Sequence, residues 1–173
     1  FCSVNVRGIR DRNNDLKLNT ICDIYERSDN DIVCLLDTHL DPTTEGRVNK
    51  RWPNKVIFCH NQTTHTNGIA VLLKNPYQKI NKIVKDSNGR YLILEIEAHQ
   101  YKFLLAIVYA PADGPSTRET FFQELNAILH IHATSAHDII LMGDFNVTEN
   151  GLLDRLPIRA SRHDPSLLAL QDL

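Results

Sequence analysis

The run Ile139-Ile140-Leu141-Met142-Gly143-Asp144-Phe145-Asn146 constrains the fold more than any other stretch of the chain. Apolar residues followed without transition by a glycine, a carboxylate and an amide predict a fully buried strand. Such a strand delivers its last residues to its carboxyl end, the edge at which α/β sheets build their sites. Strand alternation sends Asp144 and Asn146 the same way and turns Phe145 back as an apolar anchor. A carboxylate there orients water or stands near a cation, and an uncharged amide holds a phosphate oxygen without repelling it. The same residue types also make ordinary turns, so the segment gains meaning only beside others like it.

Three others exist. Residues 2–6 lead into Asn5-Val6-Arg7-Gly8, residues 31–36 into Asp37-Thr38-His39, and residues 103–108 into Tyr109-Ala110-Pro111. Further strands are expected over 55–59 and 69–73, flanking the polar loop 61–68. Another is expected over 91–97, where apolar and acidic residues alternate as on a half-exposed strand. Helical spacing places Leu16, Ile21, Ile24 and Tyr25 on a helix over 15–27. It also places Phe121, Phe122, Leu125, Ile128 and Leu129 on one over 117–131, with Ser116 or Thr117 as its cap. Asp164 followed by Pro165 predicts the start of another helix. With 173 residues and no repeat or linker, a single domain over 1–173 is expected, of α/β class.

Charge narrows the function. A formal net charge of −2 excludes a strongly basic, non-specific nucleic-acid binder, because counterion release needs clustered Lys and Arg. Any DNA contact falls to local clusters: Arg7, Arg10 and Arg12; Arg47, Lys50, Arg51 and Lys55; Arg155, Arg159 and Arg162. Each by itself reads as a solvated face. No apolar segment approaches the roughly 20 residues that span a bilayer. The four cysteines lack metal-finger spacing, and together with the absence of a leader they predict free thiols in an intracellular protein. None of the histidines has zinc-ligand spacing that assigns it a metal.

Asn5, Asp37, Tyr109 and the Asp144/Asn146 pair therefore end four separate strands in residues of one chemical kind. Two carboxylates on different strands suit Mg²⁺, which takes hard oxygen ligands, keeps several waters and needs only one or two protein carboxylates.

These motifs carry a resemblance. Asn5-Val6-Arg7-Gly8, Asp37-Thr38-His39-Leu40, Asn67-Gly68-Ile69-Ala70-Val71, Val108-Tyr109-Ala110-Pro111 and Gly143-Asp144-Phe145-Asn146 follow one another in the order seen in the exonuclease–endonuclease–phosphatase superfamily. Helped by residues 86–94, residues 121–125 and Leu153-Asp154-Arg155, the chain most resembles the apurinic/apyrimidinic-endonuclease-like domain of non-LTR (LINE-type) retrotransposons. The resemblance implies a four-layer α/β sandwich of the deoxyribonuclease-I-like type, incomplete at its C-terminal end. It implies that Asp37 binds Mg²⁺, or Mn²⁺ in its place, with Asn5 organising that cluster. Tyr109 would lie beside the scissile phosphate, Asp144 and Asn146 would position water and hold a phosphate oxygen, and Arg7, Arg10, Asn67 and Arg155 would contact DNA. The implied reaction nicks one DNA strand and leaves a 3′ hydroxyl that primes reverse transcription, in the nucleus, by a protein fused to a reverse transcriptase.

The chain also departs from that family. Asp37 stands where glutamate is usual, Leu36 where glutamine is, and Ala112 where asparagine often follows Tyr-Ala-Pro. The family's later aspartate and terminal Ser-Asp-His have no match up to Leu173, and His163-Asp164 is read as a helix start instead. The segment is accordingly expected to be impaired by itself, since such acid–base groups contribute about 10²–10⁴-fold. Two alternatives stand beside the nuclease: a degenerate fold kept as a binding or assembly module, and a phosphatase acting on a soluble phosphoester.

Overall fold

A computed structural model describes residues 1–9, 15–74, 78–133, 138–147 and 164–173. Two compact units are distinguished: residues 1–109 together with the strand Asp138–Asp144, and a second containing two helices.

The first unit holds two four-stranded sheets. One has the order β1-β2-β4-β3, formed by Cys2–Asn5 (β1), Ile32–Leu36 (β2), Val56–Cys59 (β3) and Ile69–Leu73 (β4). The other has the order β5-β6-β7-β8, formed by Lys79–Lys85 (β5), Tyr91–Ala98 (β6), Tyr101–Tyr109 (β7) and Asp138–Asp144 (β8). Two pairs are parallel, β1 with β2 and β7 with β8, and the rest are antiparallel. Parallel neighbours need a long crossover. The first crossover carries helix α1, Leu16–Glu26.

Alternation along β2 explains why its sequence is apolar throughout. Ile32, Cys34 and Leu36 pack with Val71 of β4 and with Leu92, Leu94, Leu105 and Ile107 of the second sheet, which forms the inter-sheet core. Val33 and Leu35 face the other way, onto Leu18 and Cys22 of α1 and onto Val48 and Trp52. Val48 belongs to helix α2, Glu45–Arg51, and the Trp52 indole N–H donates to the Leu73 carbonyl at 3.1 Å. Each side of β2 is thus covered, and every residue of it is buried.

Several sequence expectations change here. The face of α1 that packs carries Leu18, Ile21, Cys22 and Tyr25, whereas Leu16 and Ile24 are exposed. At about 100° per residue Leu16 falls on the far side from Leu18, Cys22 and Tyr25. α2 went unseen because it offers one buried residue and so no periodicity. β5 went unseen because it is an edge strand with exposed lysines, a device that discourages further pairing. β8 is not fully buried: Asp138 and Ile139 are exposed and the rest half-buried, because β8 also lies at a sheet edge. β6 is more buried than a half-exposed strand, with Leu92, Ile93, Leu94 and Ile96 all inside.

In the second unit, α3 (Pro115–His132) is preceded by Gly114 at φ 139°, with no side-chain cap. Ser116 and Thr117 are already helical, since Pro115 is pre-organised for the first turn. α4 (Pro165–Gln171) is capped as its sequence predicts, Asp164 Oδ1 accepting the Ser166 N–H at 3.0 Å. α3 and α4 are joined by a buried arginine: Arg118 donates Nη2–H to Asp164 Oδ2 at 2.6 Å and Nε–H to Ser166 Oγ at 3.2 Å.

Candidate active site

Strand register assembles the site of the first unit. The parallel pairing of β1 with β2 sets Asn5 beside Leu36, so that Asp37 leaves the sheet next to it. The parallel pairing of β7 with β8 sets Tyr109 beside Asp144. Asn5 then connects the two sheets: its Nδ2–H donates to Asp144 Oδ2 at 3.0 Å, while its Oδ1 accepts the Arg7 backbone N–H at 3.0 Å. Both ends of the amide are engaged, which orients it and holds the carboxylate opposite.

Asp37 lies on the other flank. His39 Nε2 is 2.9 Å from Asp37 Oδ1, and the same carboxylate acts electrostatically on the Tyr109 hydroxyl. Burial pushes the Tyr109 phenol above its usual 10.0; Asp37 and Asp144 add to that, against the opposing pull of Arg90. Tyr109 is therefore a neutral donor at ordinary pH. Asp37 and Asp144 both act on this one hydroxyl, so the two carboxylates belong to one site. Arg90 places its guanidinium 5.7 Å from the centre of the Tyr109 ring, a cation–π arrangement.

The turns carrying these groups are left-handed. Arg7, Asp37, His39 and Asn67 have φ of 48°, 56°, 55° and 62°. L residues avoid this region, Asn, Asp and His least, and such conformations concentrate where surrounding bonds over-determine them. Here they do: Gly8 N donates to Asp37 O at 2.6 Å, Ile9 N to Thr38 O at 2.8 Å, Thr38 N to Gly68 O at 3.1 Å and His39 N to Asn67 O at 2.8 Å. Gly68, at φ 95°, is required, because a Cβ would stand 2.7 Å from Thr38 Oγ1.

Four of the sequence-derived site residues, Asn5, Asp37, Tyr109 and Asp144, thus come together. Arg7 is exposed on the adjoining turn, and Asn67 donates its Nδ2–H to the Asn88 carbonyl at 3.2 Å. β8 ends at Asp144, and Asn146, at φ 51°, has left strand geometry, so alternation does not extend to it. In the second unit Asn146 Nδ2–H donates to the Ala110 carbonyl at 2.7 Å. Arg10 and Arg155 lie outside the described residues. His39, read from the sequence as a satisfied structural or surface histidine rather than a ligand, is satisfied here by Asp37. Sequence reasoning missed Arg90, which precedes a strand whose register alone brings it to Tyr109. Among the described residues no three His, Cys, Asp or Glu side chains gather as a metal cage. Two hard carboxylate oxygens are nonetheless the donor set that Mg²⁺ takes.

The fold is that of hydrolytic nucleases and phosphatases. The chain belongs to the Endonuclease/Exonuclease/phosphatase family, whose model matches residues 2–170. Over 172 residues, 99% of its length, it is 27% identical to a transposon TX1 uncharacterized 149 kDa protein of Xenopus laevis, of which it spans 12%. Among solved structures it resembles an AP endonuclease from Archaeoglobus fulgidus (TM-score 0.69, 16% identity, 99% of this chain and 67% of that one). It also resembles D. rerio TDP2 complexed with a single-strand DNA product (TM-score 0.61, 19% identity, 85% of this chain and 60% of that one). The deoxyribonuclease-I-like α/β fold expected from the motifs is therefore the fold of this chain.

Proposed function

We propose that the chain is part of a single endonuclease-like domain that hydrolyses a DNA phosphodiester with Mg²⁺, or Mn²⁺ in its place. In this reading it nicks one strand to prime reverse transcription in the nucleus, within a longer protein that also carries a reverse transcriptase. The observation that carries the reading is the Asn5–Asp144 hydrogen bond beside the Asp37–Tyr109 pair, all at strand ends of two stacked sheets. The similarity to a transposon protein many times longer than this chain supports the retroelement setting.

In this reading Asp144, oriented by Asn5, accepts a hydrogen bond from the attacking water and aims its oxygen at phosphorus. The new P–O bond forms as the bond to the 3′ oxygen breaks, leaving a 5′ phosphate and, once protonated, a 3′ hydroxyl. Tyr109, kept neutral by its surroundings, donates to a phosphate oxygen. Arg7, Asn67, Arg10 and Arg155 contact the DNA backbone. Asp37 would hold the cation, which when bound offsets charge developing on the phosphate and leaving oxygen. Asp37 suits its turn for a physical reason: aspartate tolerates φ 56° better than glutamate does.

The test is nicking of supercoiled plasmid by the protein that carries this chain, with Mg²⁺ and with chelator. Asp144→Ala should lower the rate by about 10²–10⁴-fold, and an unchanged rate would overturn the assignment. One observation favours the degenerate binding-module alternative, namely that the Asp37 carboxylate is already engaged by His39. Chelator-insensitive DNA binding without nicking would establish it.

A further inference from the structure

A cavity of about 430 Å³ lies within the first unit, lined by Phe58, His60, Gln62, Thr64, His65 and Lys85 among others. It sits beyond the carboxyl end of β3. β3 and β2 both pair antiparallel with β4, so this end and the end that presents Asp37 share one sheet edge. Cys59 and Leu36 both pair with Ile69, which puts them two strand spacings apart, about 10 Å. At about 3.4 Å of rise per nucleotide, that is about three nucleotides along a duplex strand.

We propose that this cavity is a nucleobase subsite, receiving one base unstacked from the bound strand about three nucleotides from the cleaved phosphate. The proposal rests on the DNA-cleaving reading above for the source of the base, while the pocket's chemistry is argued independently. Its volume falls in the range of about 300–1,000 Å³ typical of small-molecule sites. Two aromatic rings line it, Phe58 and His60, stacked on one another at 23° with centroids 5.5 Å apart. His60 Nε2 lies 2.7 Å from Glu45 Oε1, while its Nδ1, shut from solvent, has no partner among the described residues.

The walls are pre-formed. Asn61 Oδ1 accepts the N–H groups of Thr63 and Thr64 at 3.0 and 3.1 Å, and Gln62 N donates to Ser87 O at 2.9 Å, which pins the loop. Charge argues against a phosphate as occupant. Lys85 and His65 are balanced by Asp41 and Asp86, which also line the cavity, and His65 Nδ1 is 3.3 Å from Asp41 Oδ2. Two carboxylates repel an anion, whereas a neutral heterocycle can pack against the lining rings and hydrogen-bond to Gln62.

Two measurements test this. In an amide-resolved NMR titration of the protein with each of the four deoxynucleosides, saturable shifts should be confined to residues 58–65 and 85–86. They should persist in Asp144→Ala and weaken at least about tenfold in Gln62→Ala, whose side chain is exposed and whose loss should spare the fold. Absence of shifts there, or shifts undiminished in both Gln62→Ala and Lys85→Ala, overturns the subsite. On duplex DNA randomised around the nick, base preference about three nucleotides away should flatten in Gln62→Ala, and an unaltered preference also overturns it. If the unsubstituted protein nicks no DNA, the nuclease reading fails while the nucleoside titration still decides the pocket.

Discussion

The strand-end site and the α3–α4 pair are both polar constructions in an apolar protein, and they use their polar atoms oppositely. At the strand ends, Asn5, Asp37, Tyr109 and Asp144 are half-exposed, Asp37 is itself left-handed, and Asn5 bonds to Asp144 across two sheets. In the helix pair, Arg118 and Asp164 keep side-chain exposures of 7% and 13%, Asp164 caps α4, and Ser166 bonds to both. Strain with partial exposure is the pattern of a site that receives something, and saturation with burial is the pattern of a brace.

The largest expected effect falls on the brace. Arg118→Met leaves the Asp164 carboxylate without its guanidinium and should cost about 3–5 kcal/mol, read as a lower urea midpoint. Pairing it with Asp164→Leu should recover much of that loss, since a well-packed apolar pair often replaces a buried ion pair. A single variant within about 1 kcal/mol of the unsubstituted protein would break the comparison. At the strand ends, Gly68→Ala should cost about 2 kcal/mol, from its φ of 95° and the contact with Thr38 Oγ1. It should also slow nicking, because the displaced turn carries Asp37 and His39; full activity with reduced stability would mean that the turn does not position the site.

Asp37→Glu is a smaller and sharper probe. Family resemblance makes glutamate the expected residue, whereas the turn favours aspartate by about 1 kcal/mol. A longer arm would also disturb the contact to His39. Nicking at limiting Mg²⁺ should therefore fall about tenfold, and a rise would show that Asp37 is a weakened ligand rather than an adapted one.

What was legible in the sequence divides along the same line. Asn5, Asp37, Tyr109 and Asp144 were readable because each ends a short apolar run, and a run covered on both faces, like β2, announces itself by composition. The brace was not readable. Arg118 and Asp164 are 46 residues apart, and nothing local says that a helix arginine is buried. Arg90 was missed for a related reason, since its role depends on a strand register that no spacing encodes. The face of α1 was misassigned because apolar residues occur all round the helix, and packing chose among them.

The smallest effect separates the two regions by pH. Asp164 is pushed up by burial, but hydrogen bonds from Ser166 and Arg118 outweigh this and hold it below its usual 3.8. A depressed carboxyl contributes stability that is present above the unfolded value and lost as pH falls through the folded one. The brace should therefore weaken on the acid side, below about pH 4, and Asp164→Asn should flatten that limb. Tyr109 behaves with the opposite sign. A phenol raised above 10.0 by burial and by Asp37 contributes stability that is full below the unfolded value and lost as pH rises through the folded one. Buried thiols act on that limb too, Cys22 pushed from 9.0 to about 11 and Cys34 and Cys59 to about 12. Tyr109→Phe should consequently flatten the alkaline slope only above pH 10, leaving the thiol contribution that begins near pH 9. Thermal melts across both limbs distinguish the cases, because an acid limb altered by Tyr109→Phe, or an alkaline limb altered by Asp164→Asn, would mean that the site and the brace are one electrostatic system.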